Sequence, residues 1–191
     1  MLSGIVNLAL ALMAAGALWC GVRRGPAKEV FKYFTSLSNL WCGAAALALA
    51  VCRFMGSAPR IALLIKYSGT AAVALTILTV FLYLRPAVGG LKPLIKGQDL
   101  FLHLICPLTA LVSYCAMDRV SAPFAAVLWG YVPVLLYGCL YLYKVVFAPE
   151  NRRWRDFYGF NRGGKWPFTF AAMNVAGFII SLALWAIGRI A

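Results

Sequence analysis

Six stretches of this chain are each long and apolar enough to cross a bilayer, and little chain is left between them. They cover residues 2–22, 31–52, 61–84, 100–117, 123–147 and 167–187. A crossing takes roughly 20 apolar residues, set by the thickness of the hydrocarbon core and the rise of a helix. In lipid a backbone must satisfy its own hydrogen bonds, so segments of this length form helices. The expected fold is an all-α membrane protein, with six transmembrane helices in a single compact bundle over residues 1–191 and no soluble domain. With 63% hydrophobic and 12% charged residues, the chain is far too apolar for a water-soluble domain.

A net charge of +13 invites a nucleic-acid reading. The basic residues, however, flank the apolar stretches and form no patch interleaved with aromatics. They suit orientation and anionic phospholipid headgroups instead, and no nucleic-acid partner is expected. Loops one, three and five, with their flanks, hold 13 of the 18 Lys and Arg residues; the other side holds 5, namely Arg53, Arg60, Lys66, Arg119 and Arg189. The positive-inside rule then places loops one, three and five in the cytoplasm and both termini, Ala191 included, outside. The first stretch has no basic segment before it, and its arginines, Arg23 and Arg24, follow it. Bulky Trp19 before Cys20 also argues against lipoprotein processing. This stretch therefore reads as a retained helix and not a cleaved leader.

Polar side chains inside the spans are the functional candidates, because such groups are costly in a membrane. Thr35 lies in FKYFTSLSNLW and His103, the only histidine, in FLHLICP. Helices two, four and six enter from one face. Thr35 is about four residues into helix two and His103 about three into helix four, so both lie roughly 5–6 Å below that face. Ser38 and Asn39 stack near Thr35 at i+3 and i+4. Asp99 precedes His103 by four residues, and Asn174 lies inside helix six. Pro107, at i+4 from His103, frees the His103 carbonyl from its usual partner. Taken singly, Thr35 and Asn174 fit helix–helix contacts as well as a site, and Asp99 fits a helix start. The small-residue runs at 43–50 and 69–74 read as packing surface.

Six cysteines lie in or at the ends of spans, none as a CxxC pair. They read as small buried hydrophobes. With one histidine and no paired cysteines there is no ligand set for zinc or a bis-histidine haem, so no metal or cofactor is expected. Loop three, with two prolines and three glycines, fits the interface. Loop five, residues 148–167, mixes Arg, Trp, Tyr and Phe. It serves as a headgroup-level anchor or as a cover over the mouth of the bundle, with Arg152, Arg153 or Arg155 meeting an acidic lipid headgroup.

The pattern YFTxxSN in helix two, carried by Tyr33, Phe34, Thr35, Ser38 and Asn39, is joined by LHxxxP in helix four, carried by Leu102, His103 and Pro107. With the helix count and chain length, this resembles the bacterial relatives of the androgen-induced and androgen-dependent TFPI-regulating protein family. The resemblance implies a six-helix intramembrane threonine hydrolase acting on fatty-acid esters of hydroxy fatty acids, in a multi-pass protein of the bacterial inner membrane. Thr35 would be the nucleophile and His103 its base, chemistry that a histidine near neutral pH can support. Asp99 would set the imidazole tautomer, and Asn39 or Ser38 would donate to the oxyanion. The substrate would be a membrane lipid. The alternative is a non-catalytic bundle, a small transporter or partner-binding protein, in which these groups form a satisfied polar cluster.

Overall fold

A computed structural model of the protein describes residues 1–190; Ala191 lies outside the described residues. Six helices are long and apolar enough to span a membrane: α1 (Leu2–Arg24), α2 (Phe34–Phe54), α3 (Arg60–Leu84), α4 (Gln98–Met117), α5 (Ala126–Phe147) and α6 (Trp166–Arg189). The chain is a multi-pass helical bundle. Three starts differ from the expected ones by two or three residues: α5 begins at Ala126 and not at 123, and the other two have clear local causes. Residues Ala27–Val30 form a separate helical turn and Tyr33 is extended (φ −89°, ψ 137°), so α2 begins only at Phe34. Gly97 takes a left-handed conformation (φ 60°) that interrupts the chain, so α4 begins early, at Gln98. Thr35 therefore sits in the first turn of its helix, nearer the helix end than expected.

Helix α3 is the most enclosed span and α6 the least. Small residues let α3 occupy the centre. A methyl group at Gly69 would meet the Cys42 backbone of α2 at 2.8 Å, and one at Gly43 would meet Ala14 of α1 at 3.1 Å. Both glycines belong to the two runs read as packing surface. On the other side, the Tyr67 hydroxyl of α3 donates 2.7 Å to the Ser181 carbonyl of α6, and the Ser181 hydroxyl donates 2.7 Å to the Val127 carbonyl of α5. Such bonds join helices whose apolar faces gain little from leaving lipid for each other.

Three wide π-turns interrupt the helices: Val80–Leu84 ends α3, Phe101–Ile105 lies near the start of α4, and Tyr143–Phe147 ends α5. All three fall at the end of the bundle that carries loops three and five. Wide turns of this kind gather at functional sites, where they re-aim side chains and release carbonyls.

At the other end the structure corrects one assignment. Lys66, counted with the basic flank of loop two, is wholly buried in α3. At the same end of the bundle Asn7 and Asp118 are also wholly buried. The Asp118 carboxylate accepts from the Ser3 hydroxyl at 2.6 Å, the Asn7 amide at 2.7 Å and the Arg53 guanidinium at 3.4 Å. This cluster ties together α1, α2 and the end of α4.

Candidate functional site

A cavity of about 400 Å³ opens among α2, α3, α5, α6 and loop five, within the range of small-ligand sites. Leu75, Leu78, Val134, Met173 and Ala176 make its walls apolar. Leu82 and Phe168 also line it, yet they are 69% and 76% exposed on the outer surface. Its mouth therefore lies between the last turn of α3 and the first turn of α6. It opens sideways from the bundle, at the end that carries loop five.

Eight hydroxyl-bearing residues line the cavity: Thr35, Thr76, Thr79, Tyr83, Tyr137, Tyr141, Tyr158 and Thr169. Each hydroxyl has one proton to give. Thr79 gives its proton to the Leu75 carbonyl at 2.8 Å and Thr169 to that of Lys165 at 3.2 Å, the usual i−4 bonds of threonine in a helix. Tyr137 donates to the Lys32 carbonyl at 2.8 Å, Tyr83 to that of Gly159 at 3.3 Å, and Tyr141 to the Asp156 carboxylate at 3.1 Å. Ser38 donates 3.1 Å to the Thr35 carbonyl, so Thr76 must be the donor in the 2.9 Å Thr76–Ser38 contact. Two hydroxyls remain uncommitted to the backbone or to a carboxylate: Thr35 and Tyr158. Thr35 makes no i−4 bond: it is the second residue of α2, and the carbonyl four residues back, that of Phe31, belongs to the turn before the extended Tyr33.

Tyr158 belongs to loop five. The first N–H groups of a helix have no partner within it, and the Phe34 N–H of α2 donates to the Tyr158 oxygen at 3.1 Å. That bond places the phenol on the cavity wall that Thr35 and Tyr137 also line. Burial pushes the Tyr158 phenol up to about 12, against the opposing pull of the Phe34 N–H, so it stays protonated at neutral pH. Asp156 holds the loop in place: its carboxylate accepts the Phe160 and Asn161 N–H groups, both at 2.8 Å, as well as the Tyr141 hydroxyl. The rings of Tyr141 and Tyr158 lie 5.2 Å apart, and Tyr33 meets Phe157 at 4.6 Å. Loop five thus covers this end of the bundle through aromatic contacts and a single carboxylate.

His103 stands on the neighbouring helix and is absent from the cavity wall. Its Nδ1 bonds the Leu94 carbonyl of loop three. A carbonyl only accepts, so Nδ1 carries a proton, and in the neutral ring Nε2 keeps its lone pair as a base. The tautomer is set by a backbone carbonyl; Asp99, the residue expected to do this, makes no side-chain hydrogen bond among the described residues. The side chain leans back toward loop three, as helical side chains do toward their N-terminus.

Asn39 is the link between the two helices. Its amide donates to the Thr35 carbonyl at 2.8 Å and to the Leu102 carbonyl of α4 at 2.9 Å. In the π-turn the Cys106 N–H bonds the Phe101 carbonyl. Pro107, the next residue, has no N–H to give. The carbonyl left for Asn39 is therefore that of Leu102, one residue before the expected His103. The structure brings the Thr35 turn beside the turn that carries His103, with Asn39 joining them. Both amide protons of Asn39 and the proton of Ser38 are committed, and neither is free to donate to an oxyanion. Asn39 Oδ1 is buried without a partner.

Asn174 is likewise occupied: it accepts from Tyr131 at 2.6 Å and donates to the Phe170 carbonyl at 2.7 Å, joining α5 to α6. Arg152, Arg153 and Arg155 are all exposed. Arg153 donates to the Ala148 carbonyl at 3.2 Å, whereas Arg152 and Arg155 make no side-chain bond among the described residues. Among the described residues no group of three or more His, Cys, Asp or Glu side chains could hold a metal.

Sequence reading did not single out Tyr158, Asp156, Tyr137 or Tyr141. The one available signal was Asp156 itself, one of two carboxylates in a basic loop and the one set among its aromatics, followed by Gly159, which takes φ 60°. Comparison with protein-family models, curated proteins and solved structures finds nothing that matches the chain.

Proposed function

We propose that the protein takes the acyl chain of a membrane lipid into the cavity and hydrolyses its ester at Thr35, with His103 as general base. The observation that carries this reading is the uncommitted Thr35 hydroxyl on the wall of an apolar cavity whose mouth lies on the side of the helical bundle. The resemblance of the Thr35 and His103 segments to intramembrane threonine hydrolases points the same way. The host membrane is the cytoplasmic membrane of a bacterium, with loop five on the cytoplasmic side.

The chemistry runs in two halves. Thr35 Oγ bonds to the ester carbonyl carbon while its proton passes to His103 Nε2, and the carbonyl electron pair moves onto oxygen. The carbonyl then reforms, the ester C–O bond breaks, and the departing alcohol takes the proton from His103. Water next attacks the acyl-threonine, losing a proton to His103, and the fatty acid leaves as Thr35 regains its proton. Leu94 holds the tautomer that this sequence needs. The imidazole lies outside the cavity wall, so the lipid-bound state requires a turn of the His103 side chain or a bridging water.

A second reading has a specific observation in its favour. Ser38, Asn39 and Asn174 are all committed to helix contacts, and His103 is absent from the cavity wall. That pattern also suits a bundle that binds an acyl lipid and does no chemistry. Purified protein in liposomes containing a long-chain ester separates the two. Release of fatty acid by the wild type, abolished in both Thr35→Ala and His103→Ala, supports the hydrolase. Retention of a non-hydrolysable ether analogue without any release supports the binding protein.

A further inference from the structure

We infer that Tyr158 is the oxyanion donor of this site, its phenol O–H receiving the ester carbonyl oxygen as Thr35 attacks. This rests on the hydrolase reading and goes beyond it, because nothing in the motif segments involves loop five. The argument is one of elimination among protons. A tetrahedral intermediate needs at least one hydrogen-bond donor aimed at its oxygen, in a place where water is scarce. Asn39 and Ser38, the residues in the motif segment that could serve, have already given their protons to carbonyls. Of the two uncommitted hydroxyls on the cavity wall, Thr35 must lose its proton to become the nucleophile. Among the side chains on the wall, Tyr158 is the donor left, beside the backbone N–H of Thr35 itself in the open first turn of α2.

Position agrees with this count. The phenol oxygen lies 3.1 Å from the N–H of Phe34, the residue before Thr35, and both Thr35 and Tyr158 line the same cavity. The Phe34 N–H takes one lone pair of its oxygen, so the oxygen is fixed and its own proton points elsewhere. Loop five is held by Asp156 and by packing on Tyr141, so the donor is in place before the lipid arrives. Donors arranged in advance cost no reorganisation when charge develops. The same bond that caps α2 thus ties closure of loop five to assembly of the site.

The test is Tyr158→Phe, which keeps the ring and its stacking and removes only the hydroxyl. Rates are measured in liposomes on a long-chain ester and on its thionoester, whose C=S accepts hydrogen bonds poorly. Loss of an oxyanion donor lowers kcat by about 100-fold or more, with little change in KM. The oxo-to-thiono rate ratio, large in the wild type, should fall at least about 10-fold in the variant. A merely structural Tyr158 would slow both substrates equally, and that result overturns the inference, as does an unchanged kcat. Should Tyr158→Phe fail to insert, 3-fluorotyrosine at position 158 keeps the hydroxyl and makes it a stronger donor. It should raise kcat, and no change would count against the assignment. A wild type that releases no fatty acid removes the hydrolase reading and this inference together. A wild type that turns over beside an unaffected Tyr158→Phe removes only the inference.

Discussion

The two ends of the bundle are both polar, and they are polar in opposite ways. At the loop-two end, Asp118, Lys66 and Asn7 are ionisable or strongly polar, wholly buried and tightly packed. At the loop-five end the polar groups on the cavity wall are hydroxyls, set in an apolar cavity with a mouth on the outer surface of the bundle. Judged by the cost of burying charge, the first end is the more conspicuous functional candidate. It leaves Lys66 Nζ, Asn7 Oδ1 and Arg53 Nε without partners. Yet its carboxylate is engaged by three different side chains from two helices. Chemistry on a lipid needs space and a proton that is not already committed, and only the loop-five end combines the two. Intramembrane polarity by itself does not make a site.

The sharpest way to break this comparison is to remove the uncommitted hydroxyl. Thr35→Ala and His103→Ala should each lower ester hydrolysis by about 10⁴-fold or more, and the double variant should be no worse, because residues acting as one unit are not additive. Melting temperatures in detergent should barely move. Activity retained in Thr35→Ala would put the chemistry elsewhere. The next largest effect belongs to the other end and should appear in stability instead. Asp118→Ala strands the Ser3, Asn7 and Arg53 donors and should cost about 3 kcal/mol, read by denaturant unfolding of the solubilised bundle. A fall in turnover without a fall in stability would mean that this end does chemistry after all.

Lys66→Met sharpens the same contrast with the opposite sign. It replaces an unpartnered buried amine by an apolar chain of similar length. Stability should rise by about 1–3 kcal/mol with hydrolysis unchanged. Smaller still is the effect of Arg152→Gln together with Arg155→Gln, the two loop-five arginines with no side-chain bond. Turnover of an anionic lipid ester should fall a few-fold, by roughly 1 kcal/mol of lost surface attraction, while a neutral ester is spared. Equal effects on both would leave the loop as an anchor only. Asp99→Asn should be nearly silent in the pH dependence of kcat, since Leu94 holds the His103 tautomer. A clear shift in that profile would restore Asp99 to the site.

The spans were legible because hydrophobic length is a local property. Each helix was placed within about three residues, and the misses at Phe34 and Gly97 came from turn geometry that apolar runs do not record. The packing runs around Gly43 and Gly69 were legible for the same reason, as strings of small residues. Lys66 was misplaced because a lysine near a predicted helix end is ordinarily a flank, and nothing local marks one whose pocket comes from other helices.

In the candidate site the sequence determined which chemical groups are present and that helices α2 and α4 enter from one face. Periodicity and topology carry that information without contacts. Which group is free to act was decided only in three dimensions. Thr79 and Thr169 give their protons to i−4 carbonyls, whereas Thr35 follows the extended Tyr33 and does not, and Tyr158 joins the same wall from 123 positions away. Hydrogen-bond commitment is a property of the whole set of neighbours. It becomes readable when the tertiary structure has brought every competing donor and acceptor to the same wall.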